Sequence, residues 1–489
     1  MFRTFTAPLE AAEQSLQLQP KVLKTVTQRL GHKAIHRFQA DAERLCEETR
    51  TLSERTWQDK GGSYLADWQN YVTDAAQRGV LTFDALRQWS DMNIRSQDKG
   101  APPEHVLKYD FEIALDGKEL PEPCNYLLLR IVAPQGVVTH AWKRPYVIID
   151  PRAGHGPGIG GFKHDSQVGV ALADGHPVYF VTFQQMPQPG QTLARVTRAE
   201  AAFLRHIAKS HPDSPAPIVV GNCQGGWATA ILAATNPDLA GPIVLNGAPM
   251  SYWSGKLGQD PMRYSAGLQG GTWLAQMAAD LGGGIFDGVN LVGNFERLNP
   301  GKNYLRKYYD LYASVDTGVE RFLEFEQWWG AFYCMTGEEI RWIVENLFVG
   351  NKLGNNTAQL EPGLPIDLKA IRAPIICFAS HGDNITPVGQ ALNWIIDTYG
   401  DAHEIEVLGQ RILYLVHEDV GHLGIFVSGK IAKREHTEMA SALKTIESLA
   451  PGLYEIIIED VQGEGETKEF ALSFARRSLE DVAAHSDPR

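Results

Sequence analysis

The stretch IVVGNCQGGWATAILAAT, residues 218–235, constrains the fold more than any other part of this sequence. An apolar run typical of a buried strand leads through a glycine turn into a helix of small residues, with Cys223 at the corner. Gly221, Gly225 and Gly226 lack the Cβ atoms that would collide in so sharp a strand-to-helix turn. The pattern therefore predicts an α/β unit whose cysteine points away from the sheet, where the helix N-terminus favours the thiolate form.

A small buried cysteine packed beside glycines is the alternative interpretation of this corner. The chain has five cysteines, and the other four lack such a setting and are predicted to be core residues: Cys46, Cys124, Cys334 and Cys377. The odd total of five cysteines and their wide spacing are typical of reduced thiols in a cytoplasmic protein. No group of Cys and His has the spacing of zinc ligands, so we expect no metal site.

Short apolar strands and helical segments alternate over residues 108–250 and again over 371–440. The predicted strands are KYDFEIALDG, YLLLRIVAP, PYVIID, PVYFVTF, PIVVG, GPIVLNGAP, APIICFASHGD and, as the last one, RILYLV. Such alternation predicts a mostly parallel sheet with helices on both faces. Three helix starts are predicted from capping signals: capping boxes at Thr197 with Glu200 and at Thr336 with Glu339, and Thr386 capping a helix that begins at Pro387.

Three further regions depart from this alternation. Residues 1–107 have helical spacing and predict a helical N-terminal region that serves packing or an oligomer surface. Residues 251–370 are rich in aromatic residues at helical spacing and predict a helical cap inserted between two parts of the α/β core. Residues 441–489 form a C-terminal tail to which the sequence assigns no role.

Charge and hydropathy exclude several classes of function. The formal net charge is −13, which argues against a non-specific nucleic-acid binder because such proteins need a basic face. The N-terminus lacks the basic flank and apolar core of a signal peptide, and no apolar stretch is long enough to span a membrane. We therefore expect a cytoplasmic protein without a membrane span.

A cysteine nucleophile needs a base, and the base needs an acid that orients it. After a strand-to-helix turn of this kind, the acid and then the histidine follow later in the chain. Asp383 follows the apolar run 375–379, and His422 follows the last predicted strand between Gly421 and Gly424. The alternatives are His417 and His381 for the base and Asp419 for the acid.

The loop PRAGHGPGIGGFKHDS follows an early strand and is predicted to complete an oxyanion hole. One backbone donor is expected at Gln224, directly after the nucleophile, and the other at Arg152 or Ala153, since Pro151 has no N–H. A phosphate-binding role of GHGPGIGG is the alternative. It lacks the Lys-Ser/Thr ending of a P-loop and the GxGxxG spacing of a dinucleotide fold.

The motifs GNCQGG, ICFASHGDNITP and GHLGIF resemble the polyhydroxyalkanoate (PHA) synthases, α/β-hydrolase-fold acyltransferases with cysteine in the lipase-box position. The broader match resembles an uncharacterised bacterial family of synthetase-like proteins with a domain-of-unknown-function label. The resemblance covers about residues 110–440 and implies Cys223 as nucleophile, Asp383 as acid and His422 as base. It also implies an α/β-hydrolase fold, an acyl-CoA thioester as donor, a (3-hydroxy)acyl or polyester product and association with polymer granules.

The sequence departs from the synthases at several positions. Trp227 stands where they carry threonine, and Asn384 and Val388 replace a histidine and a tryptophan. The cap stretch EQWWGAFYC also lacks their Trp-Asn-x-Asp run. Triad chemistry is therefore supported better than polymerisation. A thioesterase or depolymerase with the same triad and a non-catalytic binding protein remain alternatives; no bound cofactor is expected, and a homodimer is possible.

Overall fold

The computed structural model describes residues 43, 44, 47, 64–96, 107–254, 270–462 and 469–485. The chain divides into two compact units, residues 1–80 with 257–259, and residues 81–256 with 260–489. Most of the predicted N-terminal helical region, including Cys46, lies outside the described residues. Its described part is helical over 64–96.

Fourteen strands lie in the described part of the chain. Ten form one large sheet: β1 Phe111–Asp116, β2 Tyr126–Ile131, β3 Tyr146–Ile149, β4 Val178–Phe183, β5 Ile218–Asn222, β6 Ile243–Asn246, β11 Ile375–Ser380, β12 Arg411–His417, β13 Gly452–Gln462 and β14 Glu469–Arg476. Two small pairs are β7 Ile285–Phe286 with β8 Met335–Thr336, and β9 Gln359–Glu361 with β10 Leu364–Pro365.

The α-helices in the same part of the chain include one of 33 residues, α1 Tyr64–Ser96. The others are α2 Gln167–Ala173, α3 Leu193–Ser210, α4 Gln224–Thr235, α5 Trp273–Leu281, α6 Val289–Arg297, α7 Lys307–Ala313, α8 Val315–Trp329, α9 Gly337–Ile343, α10 Val388–Thr398, α11 Ala402–Val407, α12 His422–Val427, α13 Gly429–Ile431, α14 Thr437–Ser441, α15 Leu443–Ser448 and α16 Leu479–Ala484. Among the described residues, none of these helices is both long and apolar enough to cross a membrane.

The strand order of the large sheet is β1-β2-β4-β3-β5-β6-β11-β12-β13-β14. Every pairing from β4 across to β13 is parallel, while β2 is antiparallel to both β1 and β4, and β14 is antiparallel to β13. A long parallel stretch with an antiparallel second strand and this crossover order is the α/β-hydrolase fold. The predicted fold class is confirmed.

The apolar character of the central strands follows from burial on both faces of the sheet. In β3, Val147 and Ile149 belong to one buried cluster, and Tyr146 and Ile148 belong to the other. Alternate residues of a strand point to opposite faces, so each face carries its own core. Because no residue of such a strand meets water, its sequence is a continuous apolar run.

The chain between β6 and β11 carries helices α5 to α9 and the two small strand pairs. The predicted capping box at the start of α9 is present. The Thr336 hydroxyl accepts a hydrogen bond from the Glu339 N–H (3.1 Å), and the Glu339 carboxylate accepts one from the Thr336 N–H (2.8 Å). Both residues are buried, so the capping box fixes the start of α9 in the interior of the protein.

Two predicted helix starts are wrong. Helix α3 begins at Leu193, because the Thr192 side chain accepts a hydrogen bond from the Arg195 N–H and caps it earlier than expected. Thr197 and Glu200 therefore lie inside the helix. The helix after β11 begins at Val388 with Pro387 at the cap position and without a side-chain cap hydrogen bond, because the Thr386 hydroxyl is buried and bonds none of the described residues.

The prediction that RILYLV is the last strand is also wrong. Within the C-terminal tail, β13 pairs parallel with β12, and β14 folds back on β13 as an antiparallel partner. The stretch YEIIIED belongs to β13. The tail thus extends the sheet by two strands on the side of β12.

Candidate active site

The cysteine corner is a strained turn between β5 and α4. Cys223 is the N-cap of α4 with φ 50° and ψ −122°, a left-handed conformation that residues with a side chain seldom adopt. Its N–H donates to the Asn246 carbonyl at 2.8 Å. A Cβ atom on Gly221 would lie 2.4 Å from the Gly225 carbonyl oxygen, and one on Gly226 would lie 2.2 Å from the Ala248 Cβ. Only glycine fits at these positions.

Asp383 and His422 form a buried pair at the same edge of the sheet. Asp383 follows β11 and His422 follows β12, and these strands are parallel neighbours. The His422 Nδ1 donates to the Asp383 Oδ2 at 2.6 Å. The other oxygen, Oδ1, accepts hydrogen bonds from the N–H groups of Ile385 and Thr386, both at 2.8 Å. The acid is thus fixed by the backbone and fixes the ring in turn.

The ring of His422 also interacts with Cys223. Because Nδ1 is taken by Asp383, Nε2 is the ring nitrogen left for a second partner. Burial lowers the pKa of His422, but the charges of Asp383 and Cys223, together with the hydrogen bond to Asp383, outweigh burial and raise that pKa above its ordinary value. The structure therefore joins Asp383 to His422 by a hydrogen bond and places Cys223 near enough to act on the charge of the ring.

The loops that carry the acid and the histidine are tied to each other. The Ser380 hydroxyl donates to the Val420 carbonyl at 2.6 Å and accepts from the Gly382 N–H at 3.1 Å. A Cβ atom on Gly382 would lie 2.1 Å from the Asp419 carbonyl oxygen. Ser380, not identified from the sequence, is the first residue after the apolar run that predicts β11.

The alternative base and acid residues lie apart from this pair. The His417 Nδ1 accepts hydrogen bonds from the N–H groups of Asp419 (3.2 Å) and Val420 (3.3 Å). The His381 ring lies 5.8 Å from the ring of His485, and the Asp419 side chain is 90% exposed. Among the described residues, no hydrogen bond joins any of these three side chains to Asp383 or His422.

Backbone N–H groups of the glycine-rich loop after β3 bind the acid that begins this loop, Asp150. The buried Asp150 carboxylate accepts hydrogen bonds from the N–H groups of Gly158 (3.0 Å) and Ile159 (2.9 Å). Burial raises the pKa of Asp150 well above its usual range, although these two bonds oppose the shift. These amides bind a protein carboxylate, which argues against the phosphate-binding alternative.

Arg152 connects this loop to the region between β6 and β11. Its guanidinium forms a buried ion pair with Glu339 at 2.8 Å and donates to the Cys334 carbonyl at 3.1 Å. It therefore faces α9. Among the described residues, no acceptor takes the N–H groups of Ala153 or Gln224, and their role in an oxyanion hole stays a prediction.

A groove of about 820 Å³ opens onto the histidine side of the pair. Its lining includes Asn384, Ile385, Gly421, His422 and Gly424, together with the aromatic residues Phe295, Phe322, Phe325 and Trp329. The charged lining residues balance: Lys302, Lys307 and Arg321 against Glu296, Asp310 and Glu326. Lys307 and Glu326 pair at 3.0 Å. The groove thus combines an apolar, aromatic wall with no net charge.

Two aromatic positions near the site need separate mention. Trp227 is buried, with its ring 6.4 Å from that of Trp342 in α9, and it does not line the groove. His155, not identified from the sequence, lies against Trp328 (4.4 Å) and Trp329, and its Nδ1 donates to the Gly156 carbonyl. Burial lowers the pKa of His155 to about 4, so it is neutral.

Comparison with known proteins adds a family. The model of the family described as "Protein of unknown function (DUF3141)" matches residues 74–489. The "Uncharacterized protein in ackA 5′ region" of Rhizobium meliloti is 49% identical over 426 residues, 86% of this chain and 58% of that protein. The chain thus spans little more than half the length of that relative.

More distant relatives confirm the resemblance to PHA synthases. The poly(3-hydroxyalkanoate) polymerase subunit PhaC of Thiocystis violacea is 26% identical over 352 residues, 68% of this chain and 90% of that protein. PhaC of Haloarcula marismortui is 23% identical over 381 residues, 73% and 70%. Among solved structures, carboxylesterase CesB (YbfK) of Bacillus subtilis matches with 11% identity and a TM-score of 0.39, covering 74% of this chain and 98% of that one.

Proposed function

Because the chain belongs to the DUF3141 family, whose function is unassigned, we propose its activity from the chemistry of the site. It is a cysteine-dependent acyltransferase that acts on (3-hydroxy)acyl-CoA thioesters. The observation that carries the proposal is the hydrogen-bonded pair of Asp383 and His422, whose ring interacts with Cys223 at a strained turn. The PhaC relatives support an enzyme of the α/β-hydrolase fold; transfer from CoA goes beyond them.

In the first half-reaction, His422 takes the proton from the Cys223 thiol, and the thiolate attacks the carbonyl carbon of the acyl-CoA. The N–H of Gln224 and that of Arg152 or Ala153 stabilise the oxyanion. The intermediate collapses by breaking the bond from carbon to the CoA sulfur. The leaving thiolate takes its proton from the His422 imidazolium, and the acyl group remains on Cys223 as a thioester.

In the second half-reaction, neutral His422 takes a proton from the hydroxyl of a second 3-hydroxyacyl group. The resulting alkoxide attacks the acyl-cysteine, forms an ester and releases the Cys223 thiol, which recovers the proton. A cysteine suits this sequence because one thioester replaces another and the acyl group stays activated. The aromatic walls of the groove exclude water and favour transfer over hydrolysis.

A thioesterase or depolymerase with the same triad is the second candidate. Asn384 lines the groove together with His422. The resembling synthases carry a histidine at the position of Asn384. An amide there can hold a water molecule, which would attack the acyl-cysteine in place of the alcohol. We place either enzyme in the cytoplasm, with an acyl-CoA or polyester as substrate.

The test is intact-mass analysis after incubation with a 3-hydroxyacyl-CoA. We expect one acyl group on Cys223, an adduct that grows by repeat units, and no adduct in Cys223→Ala. Cys377→Ala is the matched control, because burial in β11 raises the pKa of that thiol to about 12 and keeps it unreactive. An adduct that does not grow, together with free acid, would identify the hydrolase. The absence of both an adduct and CoA release would contradict both candidates.

A further inference from the structure

A small closed cavity lies behind the cysteine turn, separate from the groove. Its volume is about 20 Å³, and it lies between α3 and α4. Most of its lining is apolar: Leu193, Val196, Ile231, Ile343 and Leu360. Neither Cys223 nor His422 lines it, whereas Gln224, the next residue along the chain, does.

Four side chains that line this cavity have buried polar atoms without a hydrogen-bond partner among the described residues: Glu200, Gln224, Arg152 at Nε and Trp227 at Nε1. Both carboxyl oxygens of Glu200 and the carboxamide oxygen of Gln224 are buried without a hydrogen-bond acceptor or donor among the described residues. Glu200 is 2% exposed and Gln224 is 3% exposed, so bulk solvent does not satisfy them. Buried polar groups are almost always hydrogen-bonded, and the cavity that both of them line is therefore a place for a small hydrogen-bonding ligand.

We propose that the cavity is a water-binding site in which one or two ordered water molecules bridge the carboxyl group of Glu200 and the carboxamide of Gln224. A bound water needs roughly 10–15 Å³ of such a cavity, so the volume of about 20 Å³ admits water and excludes carbon-containing ligands. The guanidinium of Arg152, which acts on the ionisation of Glu200, disfavours a cation there. Water can donate to the Gln224 oxygen and accept from a protonated Glu200.

The charges that face Glu200 leave it without a compensating partner. Burial raises the pKa of Glu200 to about 8, and Arg152 opposes the shift only in part. The guanidinium of Arg152 is already paired with Glu339, which is fully buried. The other titratable groups that Glu200 influences are Cys124 and Tyr126, both neutral because burial raises their pKa values. Glu200 is therefore protonated at neutral pH and is a donor for the bridging water.

The water site has a consequence for the turn. Gln224 is the first residue of α4, and no described residue hydrogen-bonds its carboxamide oxygen, which leaves that oxygen to the bridge. Glu200 thus acts as a positioning residue for the start of α4 through water. This inference does not depend on which substrate the turn serves, since it concerns only the folded protein.

A crystal structure of the unaltered protein, at a resolution that shows ordered water elsewhere in the core, is the direct test. We expect one or two density peaks within hydrogen-bonding distance of the Glu200 carboxyl group and the Gln224 carboxamide. An empty cavity would overturn the proposal, as would a rotated Gln224 that bonds protein groups instead.

The second test is thermal unfolding against pH. The folded-state pKa of Glu200 is raised above its unfolded value of about 4.3, so the folded protein holds more protons between the two and stability falls as pH rises through this window. Glu200→Gln removes this loss. The Tm of the variant relative to the unaltered protein should therefore rise by about 5 °C between pH 5 and pH 8.

Thr197→Val is the matched control. Thr197 lines the same cavity, its hydroxyl already donates to the Leu193 carbonyl at 3.0 Å, and it does not titrate. Its Tm difference should be constant with pH. A Glu200→Gln difference that is equally constant would mean that Glu200 is ionised in the fold, and would contradict a donor role toward water. If that variant does not fold, the crystal structure of the unaltered protein decides.

Discussion

At the scale of single residues, the protonation state of the site depends on one buried histidine. Burial lowers the pKa of His422, but the charges of Asp383 and Cys223 outweigh it and raise that pKa. A ring whose pKa is raised accepts the proton of a neighbouring thiol more readily. We therefore expect the reactivity of Cys223 to depend on Asp383, which is hydrogen-bonded to the ring of His422 and not to the sulfur.

Asp383→Asn tests this dependence. The variant keeps the shape of the acid but removes the charge that raises the pKa of His422, so the ring accepts the thiol proton less readily. We expect alkylation of Cys223 by iodoacetamide near neutral pH to slow by about tenfold or more, since each unit of pKa corresponds to a factor of ten. Asp419→Asn, an exposed acid, should leave the rate unchanged. Equal alkylation rates in Asp383→Asn and Asp419→Asn would mean that the reactivity of Cys223 does not depend on Asp383.

The reciprocal effect is expected from Cys223→Ala. Removing the sulfur removes one of the interactions that raise the pKa of His422, so this pKa should fall. NMR titration of the histidine ring resonances measures the shift, with Cys377→Ala as a control that leaves His422 unaffected. A His422 pKa that does not move in Cys223→Ala would contradict a direct interaction between the two side chains.

At the scale of elements, the close approach of α4 to β6 sets the geometry of the turn. In Gly226→Ala the new methyl group would lie 2.2 Å from the Ala248 Cβ, so the helix or the chain that follows β6 must shift. We expect a loss of about 1–3 kcal/mol in the free energy of unfolding, measured by urea denaturation. In Gly421→Ala no atom lies within 4 Å of the new Cβ and φ is −72°, so the change should stay within about 0.5 kcal/mol, because the smaller freedom of the unfolded chain offsets the poorer N-cap.

The ion pair between Arg152 and Glu339 joins the glycine-rich loop to α9. Glu339 is fully buried and also accepts a hydrogen bond from Gln191 at 2.9 Å, so Arg152→Met leaves a buried charge without its cation. We expect a loss of about 3–5 kcal/mol. Adding Glu339→Gln should recover part of it in a double-mutant cycle of urea unfolding. Strict additivity of the two single variants would contradict direct coupling.

The elements that could be predicted from sequence are those whose burial is uniform. Strands such as β3 and β11 are covered on both faces, so their sequence is a plain apolar run. The predicted capping box at Thr197 is wrong because the same spacing of Thr and Glu also occurs inside helices, as it does in α3. Strand β13 is not evident from the sequence because YEIIIED is a short apolar run flanked by acidic residues, and such a run occurs in strands and in helices alike.

At the scale of the molecule, the candidate site was predictable because topology gathers distant residues. The carboxyl ends of parallel strands meet at one edge, so residues after β5, β11 and β12 converge although they are far apart in the chain. The chain order of nucleophile, acid and histidine was therefore informative. The pairing of Arg152 with Glu339 could not be predicted, because it joins a loop of the core to a helix far away in the sequence. No hydrophobic periodicity or motif in the sequence indicates that the two residues are in contact.

The net charge of −13 and the balanced lining of the groove make a further prediction about substrate capture. Under the proposed function, the substrate is a CoA thioester, whose negative phosphates are repelled by the net negative charge of this chain, with no net cationic lining in the groove to compensate. Salt screens this repulsion, so kcat/KM for a 3-hydroxyacyl-CoA should rise by about two- to fivefold between about 20 mM and about 200 mM NaCl. The matching N-acetylcysteamine thioester, which has no phosphates, should show no such rise. A fall of kcat/KM with salt for the CoA substrate alone would instead indicate a local cationic site that captures the phosphates, and would contradict capture through an uncharged groove.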